Sequence, residues 1–419
     1  MKVISRPIQK RSRAVLAIIG CLLGAAFLGS GQQWVQTTSL PDTYYGHSLA
    51  YWSGFLYNAG GSSGLIGEPD AVNVFYASVG GDGTIAKWNS TTPLPEPMLF
   101  HASVTANGFL YILGGDQYSD QYGLTPTNTV YSAKISGDGT IGSWQAQNSL
   151  PYSAADLSAS VWQNRIYVLA GFDETSLLFS NVYSAEIQAD GTLSSWVPRT
   201  PLPVRTGWQA AAVNGTLYVL GGITNSGGAV SGNLYYSSIN TDGSLAGWRT
   251  GSLPQRLAAV GAIAARGRLF IAGGWIGSRA TNSCYSSTVK GDGSLDSWSA
   301  GSPLPVDLYL FGTTASDTRI FVSGGNNASG NQKAVYSIAL PPPPTAPALT
   351  ARGIGTNGAF QLQVSSRTNT GFGLSASSDL ATWTHIGWGF TDTNGSVVLQ
   401  DTNAVSFPQR FYRAYWPLP

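Results

Sequence analysis

Leu110-Tyr111-Ile112-Leu113-Gly114-Gly115, then Val130-Tyr131-Ser132-Ala133, Asp138-Gly139-Thr140, Trp144 and Leu150-Pro151: this stretch decides the fold. An aliphatic and aromatic run closed by two glycines is a strand running into a turn. A second short strand follows at Val130–Ala133. Asp138-Gly139 then marks a tight hairpin, because the Gly accepts positive φ. A repeat of about fifty residues with this content is one propeller blade of four short antiparallel strands.

The pattern recurs on both sides, from Trp34 to Pro341. Gly60-Gly61, Gly114-Gly115, Gly221-Gly222, Gly273-Gly274 and Gly324-Gly325 are the glycine pairs, and Ala170-Gly171 fills the slot in the third copy. One aromatic series is Tyr76, Tyr131, Tyr183, Tyr236, Tyr285 and Tyr336; another is Trp34, Trp88, Trp144, Trp196, Trp248 and Trp298. Asp-Gly steps begin at Asp82, Asp138, Asp190, Asp242 and Asp292, one fewer than the other series. The first Trp precedes every other element, while the last copy runs from Tyr336 into Pro341-Pro342-Pro343-Pro344. The Trp34 segment therefore supplies the outer strand of the last blade, which joins the chain ends and leaves no blade incomplete. The expectation is an all-β, six-bladed propeller closed by an N-terminal strand. The Asp-Gly steps read as turns: a sialidase-type Asp box needs a residue between Asp and Gly, and one carboxylate per repeat is too few for a Ca²⁺ loop.

Across residues 34–340 the glycine pair, the Tyr about fifteen residues on and the spaced Trp resemble the kelch repeat. The departure is that the basic residue usual after Leu-Pro stands only at Arg205 and Arg256. The resemblance implies a six-bladed kelch propeller. It leaves function open, since kelch propellers include protein-binding modules, sugar-acid mutarotases and copper oxidases.

The ends differ in composition. Lys2, Arg6, Lys10, Arg11 and Arg13 precede an apolar run, Ala14–Gly29, and then small residues. Residues 1–30 read as a signal peptide for export, too short for a membrane span; Cys21 after Ile18-Ile19-Gly20 offers lipid attachment as the other reading. The propeller is then 31–340, followed by a stiff Pro-rich linker at 341–347. Residues 348–419 alternate as in Phe360-Gln361-Leu362-Gln363-Val364 and are expected to form a small β-sandwich. Ser378-Asp379-Leu380-Ala381-Thr382-Trp383-Thr384 and Pro408–Arg413 resemble a C-terminal module of secreted bacterial proteins.

Without the five basic residues of the leader, 17 Lys and Arg face 21 Asp and Glu, a charge of −4. No basic stripe exists, so nucleic acid is not an expected partner. Cys284 alone remains, which forbids an internal disulfide. It occupies a strand slot held by Phe75, Val130, Val182, Tyr235 and Val335 elsewhere, as a small hydrophobe would.

In a propeller, the loops between strands two and three and the loops leading into each blade share one face, where ligands meet the axis. The expected ligand-binding residues are Tyr44, Arg205, Trp208, Arg256, Trp275 and Tyr309, aromatic anchors and guanidinium forks for a glycan or protein ligand. No catalytic residue is assigned under that reading. The alternative is a sugar-acid mutarotase or lyase, in which Arg205 and Arg256 grip a carboxylate and Asp156 or Asp307 acts as base. Inter-blade salt bridging is the bland account of the same four charges. His47 and His101 begin the inner strands of the first two blades; without a matching third ligand they read as structural, so neither a metal nor another cofactor is expected. The expected function is thus a secreted or cell-surface binding protein.

Overall fold

The computed structural model describes residues 16–18, 32–64, 69–119, 123–207, 210–213, 215–225, 227–290, 292–341, 348–355, 358–365, 371–379, 384–392, 394–407 and 409–415. The proposed leader and the proline linker thus fall almost entirely outside the described residues.

Each repeat forms one antiparallel sheet, because its β-branched and aromatic residues find apolar neighbours on both faces. Blade 1 holds Ser48–Trp52, Phe55–Ala59, Val74–Ser78 and Asn89–Ser90. Blade 2 holds Ala102–Ala106, Phe109–Leu113, Val130–Lys134 and Gln145–Ala146. Blade 3 holds Ser158–Trp162, Arg165–Leu169, Val182–Glu186 and Val197–Pro198. Blade 4 holds Ala210–Val213, Thr216–Leu220, Asn233–Ser238 and Arg249–Ser252. Blade 5 holds Gly261–Ala265, Arg268–Ala272, Cys284–Thr288 and Ser299–Ala300. Blade 6 holds Gly312–Ala315, Arg319–Ser323 and Val335–Ala339, and its outer strand is Val35–Thr37 from the other end of the propeller. Val35 sits opposite Ser337 and Thr37 opposite Val335, antiparallel. The first strands of blades 1 to 6 neighbour one another in order, and that of blade 6 returns to that of blade 1. The ring is closed.

Apolar clusters bridge adjacent blades rather than filling single ones. Tyr57 and Ala59 of blade 1 pack with Leu110, Ile112 and Ala133 of blade 2. Leu49 and Leu56 of blade 1 pack with Phe321 and Val335 of blade 6, so the seam has the same core as every other joint.

The indole series is a ring of hydrogen bonds. Trp88 Nε1 donates to the carbonyl of Thr38 at 3.0 Å, Trp144 to Thr92 at 3.3 Å, Trp196 to Asn148 at 2.8 Å, Trp248 to Thr200 at 2.9 Å and Trp298 to Ser252 at 2.8 Å. Trp34 Nε1 closes the series on Ser302 at 3.0 Å. Only Trp88 is fully buried; the other five stand half-exposed at the rim. Their part in inter-blade packing is therefore as much polar as apolar.

The Asp-Gly steps sit in the hairpins between strands three and four. Asp138 Oδ1 accepts from the Thr140 amide at 3.0 Å and its hydroxyl at 2.7 Å, while Gly139 takes φ 87°. The bend also serves the neighbouring blade: the buried Tyr57 hydroxyl donates to the Gly139 carbonyl at 3.1 Å. Tyr111, Tyr167 and Tyr218 repeat this to Gly191, Gly243 and Gly293 at 2.9, 3.0 and 2.8 Å. Blades 5 and 6 carry Phe270 and Phe321 in the Tyr slot.

Cys284 is buried in its strand, and burial pushes its thiol up to about 11, so it behaves as the small hydrophobe expected. Beyond the linker, one sheet is Ala348–Ile354, Phe360–Ser365 and Ser396–Asp401, and another contains Gly371–Ser377, Thr384–Phe390 and Arg410–Tyr415. The backbone of Leu16–Ile18 lies parallel along the Arg410–Tyr415 edge. Side chains of both sheets share a core of Phe360, Leu362, Leu374, Ala376 and Tyr412. A buried pair, Arg410 Nε to Asp401 Oδ2 at 2.8 Å, ties the two sheets, and Tyr412 donates to the same oxygen at 3.1 Å.

Candidate binding face

Single bridges place both loop sets on one face. In each blade, the fifth residue after the Leu of Leu-Pro pairs with the residue that follows the glycine pair. These partners are Tyr45 with Ser62, Leu99 with Asp116, Ala155 with Phe172, Gly207 with Ile223, Ala258 with Trp275, and Tyr309 with Asn326. This loop face contrasts with the turn face, which carries the strand one–two turns and the Asp-Gly hairpins.

The sixth residue after that Leu is held in left-handed backbone in the five blades where it is described. Gly46 has φ 63°, Phe100 52°, Asp156 50°, Ala259 47° and Leu310 54°. Only the first is glycine. Hydrogen bonds link these residues along the arc from blade 6 to blade 3: Gly46 N–H donates to the Leu310 carbonyl at 3.3 Å, Phe100 N–H to Gly46 at 2.7 Å and Asp156 N–H to Phe100 at 2.9 Å. Non-glycine residues in this region cost about 1–3 kcal/mol each and cluster where function needs a fixed shape.

The seventh residue explains the glycine pairs. A Cβ on Gly61 would lie 2.6 Å from the Cβ of His47, and one on Gly60 2.7 Å from Cε1 of His101. The pair is thus a seat for the seventh residue of its own blade and for that of the next. In blades 1 and 2 the occupant is histidine. His47 Nε2 lies 3.0 Å from Ser323 Oγ and accepts from Gly312 N–H at 3.3 Å, which leaves the proton on Nδ1, where no partner is found. His101 Nε2 lies 2.9 Å from Ser48 Oγ, and its Nδ1 is likewise unpartnered. Burial lowers His47 to about 3, helped by the neighbouring His101, against a smaller opposing effect of its Ser323 hydrogen bond; burial lowers His101 to about 4. Both rings are neutral, His47 at the seam of blades 6 and 1 and His101 at the joint of blades 1 and 2. Among the described residues, no three His, Cys, Asp or Glu are grouped to hold a metal ion.

Half-exposed aromatic rings flank this ring of lead-in loops. Trp275 and Tyr309 lie 5.0 Å apart between centroids, and Tyr45 meets Phe100 edge-on at 5.9 Å. Of the expected binding residues, Trp275 and Tyr309 therefore come together. Tyr44 does not belong with them: it is 2 % exposed, packed against His47 and Phe75, because its slot after Leu-Pro turns inward in every blade. Trp208 lies outside the described residues.

The four charges separate. Arg205, Arg256 and Asp307 are all third after the Leu of Leu-Pro, where Arg205 and Arg256 are exposed and Asp307 is half-exposed, 4.0 Å from Arg279. Asp156 is three residues further along, in the left-handed ring beside the axis. Grouping them by charge placed different slots together, so the Arg-Asp constellation is corrected to a rim set and one axial residue. Asp116 was missed. It follows a glycine pair where other blades have Ser, Phe, Ile, Trp or Asn, and it roots the hairpin Asp116–Ser119 with Gly123–Pro126. It is 7 % exposed, and burial raises its carboxyl to about 6. A lone Asp in a slot otherwise mostly uncharged and bulky was the available signal.

No family model matches the chain. Among curated proteins it is similar to beta-scruin of Limulus polyphemus, 24% identical over 35% of this chain and 16% of that one. It is 23% identical to bovine (Bos taurus) Kelch-like protein 36 over 46% of this chain and 30% of that one. It is 30% identical to human (Homo sapiens) Kelch repeat and BTB domain-containing protein 12 over 32% of this chain and 23% of that one. The chain thus spans under a third of the length of these relatives. Among solved structures, YjhT aligns with a TM-score of 0.58 over 72% of this chain and 96% of its own, at 15% identity, a likeness of fold. With the glycine seats, the hydrogen-bonded indoles and the closed ring of blades, these likenesses bear out a β-propeller of kelch-type repeats.

Proposed function

We propose that the chain is an exported, non-catalytic binding protein that offers its loop face to a protein or glycan. The observation that carries this reading is the pairing of half-exposed aromatics, Trp275 with Tyr309 and Tyr45 with Phe100, beside lead-in residues held in left-handed backbone and hydrogen-bonded from blade 6 to blade 3. Rigid aromatic rings give large contact area at little entropic cost. The spread of Arg205, Arg256, Asp307 and Asp156 over two slots favours binding over the carbohydrate-enzyme alternative, which needs a converged Arg-Asp set.

Printed glycan and peptide arrays probed with the whole chain, then with Trp275→Ala/Tyr309→Ala, test this. The expected result is a bound set that the double variant loses by about tenfold or more, as truncating an aromatic anchor does. A bound set indifferent to this pair, or turnover of a sugar acid abolished by Arg205→Ala, overturns it.

A further inference from the structure

The charges of the loop face are sorted by half. On blades 1–3 the lead-in and strand two–three loops carry Asp42, Glu96, Asp116, Asp156, Asp173 and Glu174 among described side chains, and their sequence contains no Lys or Arg. On blades 4–6 the same loops carry Arg205, Arg256, Arg279 and Lys333, with Asp307 as the one acid. The turn face shows the opposite habit. There both signs mix and pair: Arg165 with Glu186 at 3.5 Å, Arg249 with Asp292 at 3.7 Å, Lys290 with Asp296 at 3.2 Å. In a chain with 10% charged residues, such sorting on one face and mixing on the other is a feature of that face.

Asp116 is a second, independent observation. Its backbone pairs with Leu99, one residue from the strained Phe100, and the residue is only 7 % exposed. Among the described residues its carboxylate has no hydrogen bond and no ion pair. Burial raises its pKa with no compensating donor, so the carboxylate is held in the face without a partner.

We propose that the acidic half of the loop face docks a Lys/Arg-rich segment of a protein partner, one cationic head seating on Asp116 beside the Tyr45–Phe100 edge. This rests on the loop-face binding reading and names its partner class. A buried carboxylate forms a strong, charge-assisted bond with a guanidinium, and the adjacent rings add cation–π attraction. The patch spans loops of three blades, which suits several spaced charges rather than one small cation. The basic half repels the same segment and fixes which blades it crosses.

Fluorescence anisotropy of the full chain with fluorescein-labelled octa-arginine and octa-glutamate is the test. Octa-arginine binding is expected, weakened on the order of tenfold or more by 0.5 M NaCl. Asp116→Asn should weaken it about tenfold, and Asp173→Asn/Glu174→Gln, in an exposed loop, about threefold. Glu186→Gln on the turn face should leave it unchanged. Octa-glutamate binding as tight as octa-arginine, or octa-arginine binding unaltered in both acid variants, overturns the proposal. If those results accompany an array-bound ligand that Trp275→Ala/Tyr309→Ala still loses, the partner class falls and the loop-face reading stands.

Discussion

The turn face and the loop face are built by the same repeats and have opposite characters. On the turn face, every hairpin of blades 1 to 5 uses the same Asp-Gly bend with a Thr or Ser hydroxyl on the Asp. On the loop face, the corresponding slots hold Gly, Phe, Asp, Ala or Leu at one position and Ser, Asp, Phe, Ile, Trp or Asn at another. Uniformity marks what each blade must do for its neighbour, and variety marks what the ring is free to use. The backbone still repeats on the varied face, since the left-handed residue recurs whatever its side chain. The loop face is therefore a fixed scaffold for unlike groups, as recognition surfaces on rigid folds are.

The largest effect should come from removing the joint on which both faces depend. Deleting residues 32–39 strips Val335–Ala339 of its outer partner, removes Trp34 and takes away the Thr38 carbonyl that Trp88 uses. The loss should be at least about 4 kcal/mol, since a large aromatic and a strand pairing go together, and the freed edge should self-associate. Thermal melts with light scattering measure both. A monomer melting like the parent would break the account of closure.

Next in size is acid. His47 and His101 have folded pKa values near 3 and 4, below the ordinary 6.5, so between those limits the unfolded chain binds more protons. Their neutral burial contributes fully above pH 6.5 and is lost as pH falls towards 4 and then 3. The slope is at most about 1.4 kcal/mol per pH unit for each ring. His101→Leu copies blade 3, where Leu157 takes the same seat, and should flatten that slope between pH 6.5 and 4. Denaturant melts across this range check it, and an unchanged slope would mean that His101 does not set the acid sensitivity of the joint between blades 1 and 2.

Trp144→Ala should cost about 2–3 kcal/mol, less than a buried aromatic, because the ring is half-exposed and part of its work is the bond to Thr92. Chemical denaturation measures it. A larger loss would mean that packing dominates the rim after all.

The repeat, the closure and the hairpins were legible because each rests on local backbone chemistry: glycines for left-handed turns, Asp-Gly for tight bends, an offset Trp for the shared last sheet. The loop face was legible only as a location. Asp156 was grouped with Arg205 by charge, whereas slot number, counted from Leu-Pro, separates them. Tyr44 looked exposed because its loop is, yet its slot turns inward to meet Phe75. For Asp116 the sequence offers only its slot, the one acid after a glycine pair; its depth, which makes it unusual, is a tertiary property.

The smallest prediction separates the uniform face into parts. Tyr111 is fully buried, and its hydroxyl reaches the Gly191 carbonyl of the next blade at 2.9 Å. Blades 5 and 6 use Phe270 and Phe321 in that slot, and Phe321 does so although the Asp82-Gly83 bend of blade 1 lies against its strand at Arg319, so ring shape is sufficient at that joint. Tyr111→Phe keeps the packing and removes one donor, leaving a buried carbonyl short of a partner. The expected loss is about 1 kcal/mol, seen as a lower urea midpoint with an unchanged slope. No loss would mean that the hydroxyl bond is incidental and that neighbouring blades are joined by ring packing alone, which would also explain why two copies do without it.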